Sequence, residues 1–234
     1  MCFKTCGNIM RLVGFIFSIF TVLSSTNGLI NIGGVTGQPP RPQKMEGAPQ
    51  QTEVNSRPAA KPLTIRFHTP VTSDSCSKLV EALVQLDIHS KQTEALFGKR
   101  IPIKLHLQSM GGELLPTFYV CDLIKELDTP VHVYIDGFVA SAASLMAICG
   151  EKRFITKNSC VLVHQLRAQT SGKLSEMTQE IDNFNHFMDN LRNIYLENSN
   201  VEEDELDGLL RSELWLSAER CLELGFVDEI VGKN

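Results

Sequence analysis

Between residues 103 and 149 the chain twice runs from an apolar strand pattern, through a loop carrying glycine, straight into a helical pattern. The first unit is Ile103 to Leu107, then Gln108-Ser109-Met110-Gly111-Gly112, then a helix expected over Leu114 to Leu127 with Leu115, Phe118, Tyr119, Leu123 and Leu127 inward. Thr129-Pro130 stops it, because a residue before proline is pushed out of the helical region. The second unit is Val131 to Ile135, a turn at Asp136-Gly137-Phe138-Val139, and a small-residue helix over Ala140 to Cys149 closed by Gly150. A strand followed by a helix and another strand returns parallel to itself, so the helices must lie on the sheet they connect. The pattern extends outward on both sides. Leu63 to His68, Arg153 to Thr156, Cys160 to His164 and Phe226 to Val231 read as strands, the second and third of these joined at Lys157-Asn158. Ser75 to Leu86, Glu202 to Leu210 and Ala218 to Leu224 read as helices. The longest helix is Leu174 to Asn198, in which Leu174, Met177, Ile181, Phe184, Phe187, Met188, Leu191, Ile194 and Tyr195 keep three- and four-residue steps. The expectation is an α/β domain with parallel strands covered by helices.

That domain is expected to occupy residues 63–234. Six of the ten prolines, Pro39, Pro40, Pro42, Pro49, Pro58 and Pro62, fall in a stretch with almost no large apolar side chains. Such a composition cannot form a core, so residues 29–62 read as an extended linker. Residues 1–28 read as a targeting segment: Leu12 to Leu23 is an uncharged apolar run behind Lys4 and Arg11, followed by Ser24, Ser25, Thr26, Asn27 and Gly28. The run is short for a membrane span, which needs roughly 18 residues or more. A secretory signal, a membrane anchor and an organelle-targeting leader all fit it. The first 45 residues contain four cations and no acid, leaving 18 basic against 27 acidic residues in the remainder. A body this acidic lacks the stripe that neutralises phosphates, so nucleic acid is not expected as a partner. Seven cysteines include no C-x-x-C pair, and no histidines cluster with them, so neither a metal site nor a disulfide framework is indicated.

Each glycine loop turns the backbone sharply and brings amides toward one point, which favours an anion. Ser141 stands where the second helix starts, and a serine hydroxyl there lies beside amides able to stabilise the oxyanion of an attacked carbonyl. A serine capping the helix, in a Ser-Ala-Ala-Ser run that merely packs closely, explains the same residues. His164 ends the apolar run Val161-Leu162-Val163 and emerges at a sheet edge, where an imidazole can exchange a proton with that serine. On its own, a strand-end histidine is more often purely structural. His68, His89, His106, His132 and His186 lack that placement.

Taken together, Gly111-Gly112, Gly137-x-x-Ala140-Ser141-Ala142, Leu162-Val163-His164-Gln165 and Trp215-Leu216-Ser217-Ala218-Glu219 … Gly225-Phe226-Val227-Asp228 resemble the ordered motifs of the ClpP family, the proteolytic subunit of Clp protease. The likeness covers roughly Leu63 to Val231 and is clearest after Ile101. It implies an α/β fold of repeated β-β-α units, shared with crotonase-like proteins, with a protruding handle helix. It also implies a serine endopeptidase acting on unfolded proteins or peptides inside an oligomeric ring, with no metal or organic cofactor. Carried over, the nucleophile falls on Ser141, the base on His164, the oxyanion amides on Gly112 and Ala142, and substrate contacts on Gly111, Gln165, Leu166 and Arg167. The third catalytic carboxylate falls on Glu213, where the family has aspartate, and a solvated surface acid fits that position as well. Where the family has proline and paired glycines after His-Gln, this chain has Leu166-Arg167-Ala168-Gln169-Thr170-Ser171-Gly172, so peptide pairing along that edge is altered. The helix Leu174 to Asn198 resembles the handle that interlocks two stacked rings, homo- or hetero-oligomeric. Little before Leu63 resembles the loops that meet an ATP-driven unfoldase, which leaves that partner open. Two rivals stand beside the protease: a catalytically impaired structural subunit of the same fold, and, more distantly, a crotonase-like enzyme holding a thioester enolate.

Overall fold

The computed structural model describes residues 63–232, and the targeting segment and linker expected over residues 1–62 lie outside them. Five parallel strands form the main sheet: β1 (Leu63–Phe67), β2 (Ile103–Ser109), β3 (Val131–Ala140), β4 (Lys152–Thr156) and, following it in space, the last strand of the chain, β7 (Glu229–Val231). Helices α1 (Ser73–Phe97), α2 (Leu114–Glu126) and α3 (Ala142–Ile148) link the first four strands in turn. β5 (Cys160–Leu162) follows β4, and α4 (Leu174–Glu197) and α5 (Glu203–Ser212) lead to β6 (Trp215–Ser217) and α6 (Ala218–Glu223). The alternation of β1, β2 and β3 sends Leu105, Leu107, Val133 and Ile135 into the core, and α3 is buried at all seven positions. The parallel α/β expectation holds.

β3 departs from the expected strand and turn. Asp136-Gly137-Phe138-Val139 has turn chemistry, yet the strand continues through it to Ala140. The register against β2 shifts there, from Leu107 opposite Ile135 to Ser109 opposite Val139. Gly137, at φ 87°, makes the bend, and its N–H donates to Ser159 Oγ at 2.7 Å. Phe138, Val139 and Ala140 then pair with β5, which pairs antiparallel with β6. The bend therefore brings the end of β3, the end of β5 and the segment after α5 into one region.

Three helices differ from their sequence reading. α1 runs eleven residues past the expected end at Leu86, to a left-handed Gly98 whose N–H donates to Glu94 O at 2.7 Å. Its second half faces the core with Asp87, Ser90 and Thr93, each partnered: Asp87 Oδ1 accepts the Thr129 N–H, Ser90 Oγ donates to Ile101 O, and Thr93 Oγ1 donates to His89 O. α2 buries Thr117, Val120, Cys121 and Ile124 and exposes Leu115 and Tyr119. The smaller side chains form the face that meets the domain. α4 also departs from a wholly inward stripe. Leu191 and Tyr195 are buried, while Leu174 is 82% and Ile181 50% exposed, so the first part of the helix projects beyond the core.

Candidate active site

The bend in β3 ends at Ser141, the junction with α3. Ser141 has φ 56° and ψ −130°, a conformation that strains a residue with a Cβ and clusters at functional sites. Main-chain bonds impose it. The Ser141 N–H donates to Leu162 O on β5 at 2.9 Å, and its carbonyl accepts both the N–H (2.9 Å) and the hydroxyl (2.6 Å) of Ser144. Ser144 has one proton and gives it to Ser141, so Tyr195, 2.6 Å away, must donate to Ser144 Oγ. Burial pushes the Tyr195 phenol well above its ordinary pKa and keeps it a donor. The Ser141 hydroxyl makes no capping bond to α3, which removes the capping explanation open at the sequence level.

The first glycine loop packs against this junction. Gly111 has φ 88°, and a Cβ there would stand 2.5 Å from Ala140 O, 2.7 Å from Ser141 Cβ and 3.0 Å from Ala142 N. Gly112, at φ 152°, is held by a bridge in which Val71 N–H donates to Gly111 O and Glu113 N–H donates to Val71 O, both 2.9 Å. That bridge uses the groups on either side of the Gly112 N–H and not the N–H itself. A Cβ on Gly112 would meet Val71 O at 2.0 Å, so only glycine fits.

His164 follows β5. Its Nδ1 lies 2.6 Å from Gln165 O; a carbonyl only accepts, so Nδ1 carries a proton, and in the neutral ring this leaves the lone pair on Nε2. Neighbouring main chain is anchored as well: Gln165 N–H donates to Leu210 O on α5 at 2.9 Å, and Leu166 N–H points to Met188 Sδ on α4 at 3.1 Å. Ser141, Ala142, Gly112, His164, Leu166 and Arg167 all line one cavity of about 90 Å³. Leu114, Leu191 and Tyr195 complete it. Sequence reasoning placed Leu191 and Tyr195 only in a core stripe. The signal for Tyr195 was a phenol inside that stripe, since a buried hydroxyl needs a partner.

Glu213 is the expected site residue whose bonding differs most from the expectation. It ends α5 in the left-handed region, φ 49°, and its Oε2 accepts from Arg167 Nη2 at 2.7 Å rather than from the imidazole. The hydrogen bond from Arg167, then the charge of that guanidinium, hold the Glu213 carboxyl below the usual range, with a smaller contribution from His164. Gly111, Gln165 and Glu213 are not among the cavity's lining residues.

A larger open groove of about 700 Å³ runs among the ends of α2 and α4, the start of β4 and α6, and contains none of the expected site residues. Within it Arg153 is engaged by Asp228 at 2.6 Å and also by Asn198 O. The smaller cavity is the better site because it joins a strained serine, an imidazole with a free nitrogen and both expected oxyanion residues. Among the described residues no group of three His, Cys, Asp or Glu is placed to hold a metal.

The Clp protease family model matches residues 50–234. Over 169 residues the chain is 26% identical to "ATP-dependent Clp protease proteolytic subunit 1" of Chlamydia pneumoniae, covering 70% of this chain and 84% of that one. Over 168 residues it is 23% identical to "ATP-dependent Clp protease proteolytic subunit" of Deinococcus radiodurans, covering 71% and 78%. The solved structure of a ClpP1 point mutant from Listeria monocytogenes superposes with a TM-score of 0.63 at 20% identity, covering 74% of this chain and 92% of that one. The fold is thus ClpP-like.

Proposed function

The chain belongs to the Clp protease family, and on that premise we propose that it is a serine endopeptidase hydrolysing unfolded polypeptides or short peptides through an acyl-enzyme. Ser141 Oγ attacks the scissile carbonyl while His164 Nε2 takes its proton. The charge developing on the carbonyl oxygen is met by the N–H groups of Gly112 and Ala142. The imidazolium returns the proton to the departing amine as the C–N bond breaks, leaving the acyl group on Ser141. A water that gives its proton to His164 then releases the acyl group as a carboxylic acid and restores the hydroxyl. The Gln165 carbonyl orients the ring in this arrangement, and Glu213 takes that part when Arg167 lets it go.

The observation that carries this reading is the shared cavity: two groups 23 positions apart in sequence line one pocket with both expected oxyanion residues. The exposed apolar residues Leu174 and Ile181 on the projecting part of α4 support an oligomeric ring, and the ATP-dependent proteases named among the relatives support an ATP-driven unfoldase as a further partner. One observation favours a second reading, the catalytically impaired structural subunit: Glu213 is bound to Arg167 and not to His164. Digestion of an unfolded protein by the assembled full chain decides between them. Degradation that stops with Ser141→Ala supports the protease; a particle of ring mass that degrades nothing supports the structural subunit.

A further inference from the structure

Arg167 lines the same cavity as Ser141 and His164, and it already holds a carboxylate. The cavity's other lining side chains include no acid and no second permanent cation: Leu114, Leu166 and Leu191 are apolar, and the Tyr195 hydroxyl is spent on Ser144. A guanidinium offers five donors in a fork shaped for carboxylates, and one is engaged, by Glu213 Oε2 at 2.7 Å. This pair is exchangeable. The Arg167 side chain is 75% and that of Glu213 43% exposed, so water and salt screen their attraction and a competing carboxylate meets little resistance. His164 meanwhile gives its Nδ1 proton to a neutral carbonyl, an acceptor that stabilises an imidazolium less than a carboxylate does. The chain thus keeps the carboxylate that suits His164 on the cation that faces the substrate.

We propose that this cleft selects polypeptides with an aspartate or glutamate beside the scissile bond, and that the substrate carboxylate replaces Glu213 on Arg167 and frees Glu213 to accept from His164 Nδ1. The inference rests on the proteolytic reading above and adds a substrate class and an activation step to it. One carboxylate exchanges for another on the same cation, so net charge in the site changes only by that of the substrate side chain. A peptide with a neutral residue there leaves Glu213 where it is and is cleaved with the Gln165 carbonyl as the only partner of Nδ1.

The test uses matched fluorogenic peptides carrying Glu or its neutral isostere Gln at each position flanking the scissile bond, with the assembled full chain. At one position the Glu peptide is expected to be cleaved about tenfold or more faster, the scale of one charge-assisted hydrogen bond, with kcat raised as well as KM lowered. Arg167→Met should bring that ratio to about one. Glu213→Gln should keep the lower KM for the Glu peptide and lose the gain in kcat. Binding of the same peptides to Ser141→Ala, followed by fluorescence anisotropy, should show the Glu preference without turnover. Equal handling of Glu and Gln at every position, or a preference that survives Arg167→Met, overturns the inference and leaves a protease of other specificity. An Arg167-dependent Glu preference in binding, with no cleavage by the parent, overturns the proteolytic reading and upholds the carboxylate site.

Discussion

The two sides of the cavity are held in place by different kinds of interaction. On the Ser141 side the constraints all act on main-chain atoms: the bend at Gly137, the bond from Ser141 N–H to Leu162, the Ser141 carbonyl that accepts twice from Ser144, and the close approach of Gly111. On the Arg167–Glu213 side the neighbouring main chain is anchored, but the two side chains are held by one ion pair between exposed groups on irregular segments. Backbone geometry is costly to change and suits a nucleophile that must hold a strained position. A screened pair is easily exchanged and suits the part of a site that answers to substrate. The difference says where the chemistry is fixed and where it is adjustable.

Substitutions on the rigid side should have the largest effects. Ser141→Gly is expected to abolish hydrolysis, a loss of about a millionfold in kcat by analogy with other serine nucleophiles. Its melting temperature should nevertheless rise, because glycine relieves a φ of 56° that strains serine by roughly 1–3 kcal/mol. Unchanged or lowered stability would break the contrast by showing that Ser141 is not strained. Gly112→Ala should destabilise the fold by about 4 kcal/mol or more, read in urea unfolding, since its Cβ meets the Val71 carbonyl at 2.0 Å. Tyr195→Phe sharpens the contrast within one side: it removes only the donor to Ser144, and should cost about 1 kcal/mol of stability with kcat lowered several-fold.

The exposed side should respond least. Glu213→Gln is expected to change cleavage of neutral peptides by less than about threefold, because Gln165 already orients the imidazole. Its pH dependence has a definite sign. Arg167 depresses the Glu213 carboxyl, so any stability from the pair is fully present above the ordinary carboxylate range and is lost as pH falls through the depressed value. Urea unfolding of parent and Glu213→Gln should therefore differ slightly at neutral pH and converge in acid.

Most of the strands and the positions of Ser141 and His164 were legible, because each of these two residues follows a strand whose apolar residues announce it. What escaped the reading did so for physical reasons. The second half of α1 turns Asp87, Ser90 and Thr93 inward, so hydrophobic periodicity ends where the helix does not. Asp136-Gly137 carries turn chemistry but makes a bend inside β3. The buried stripe of α2 includes Thr117 and Cys121, smaller than the Leu115 and Tyr119 it leaves outside. Arg167 and Glu213 lie 46 positions apart on irregular segments, and no periodicity or propensity connects them. Placement of single residues followed from local pattern; pairing across loops required coordinates.

The central claim is that Ser141 is a nucleophile activated by His164. Exposure of the assembled full chain to a fluorophosphonate, followed by peptide mapping, tests it most directly. One adduct is expected, on Ser141, absent in Ser141→Ala and formed far more slowly in His164→Ala. An assembled parent that forms no adduct, or an adduct that forms equally fast without His164, would contradict it.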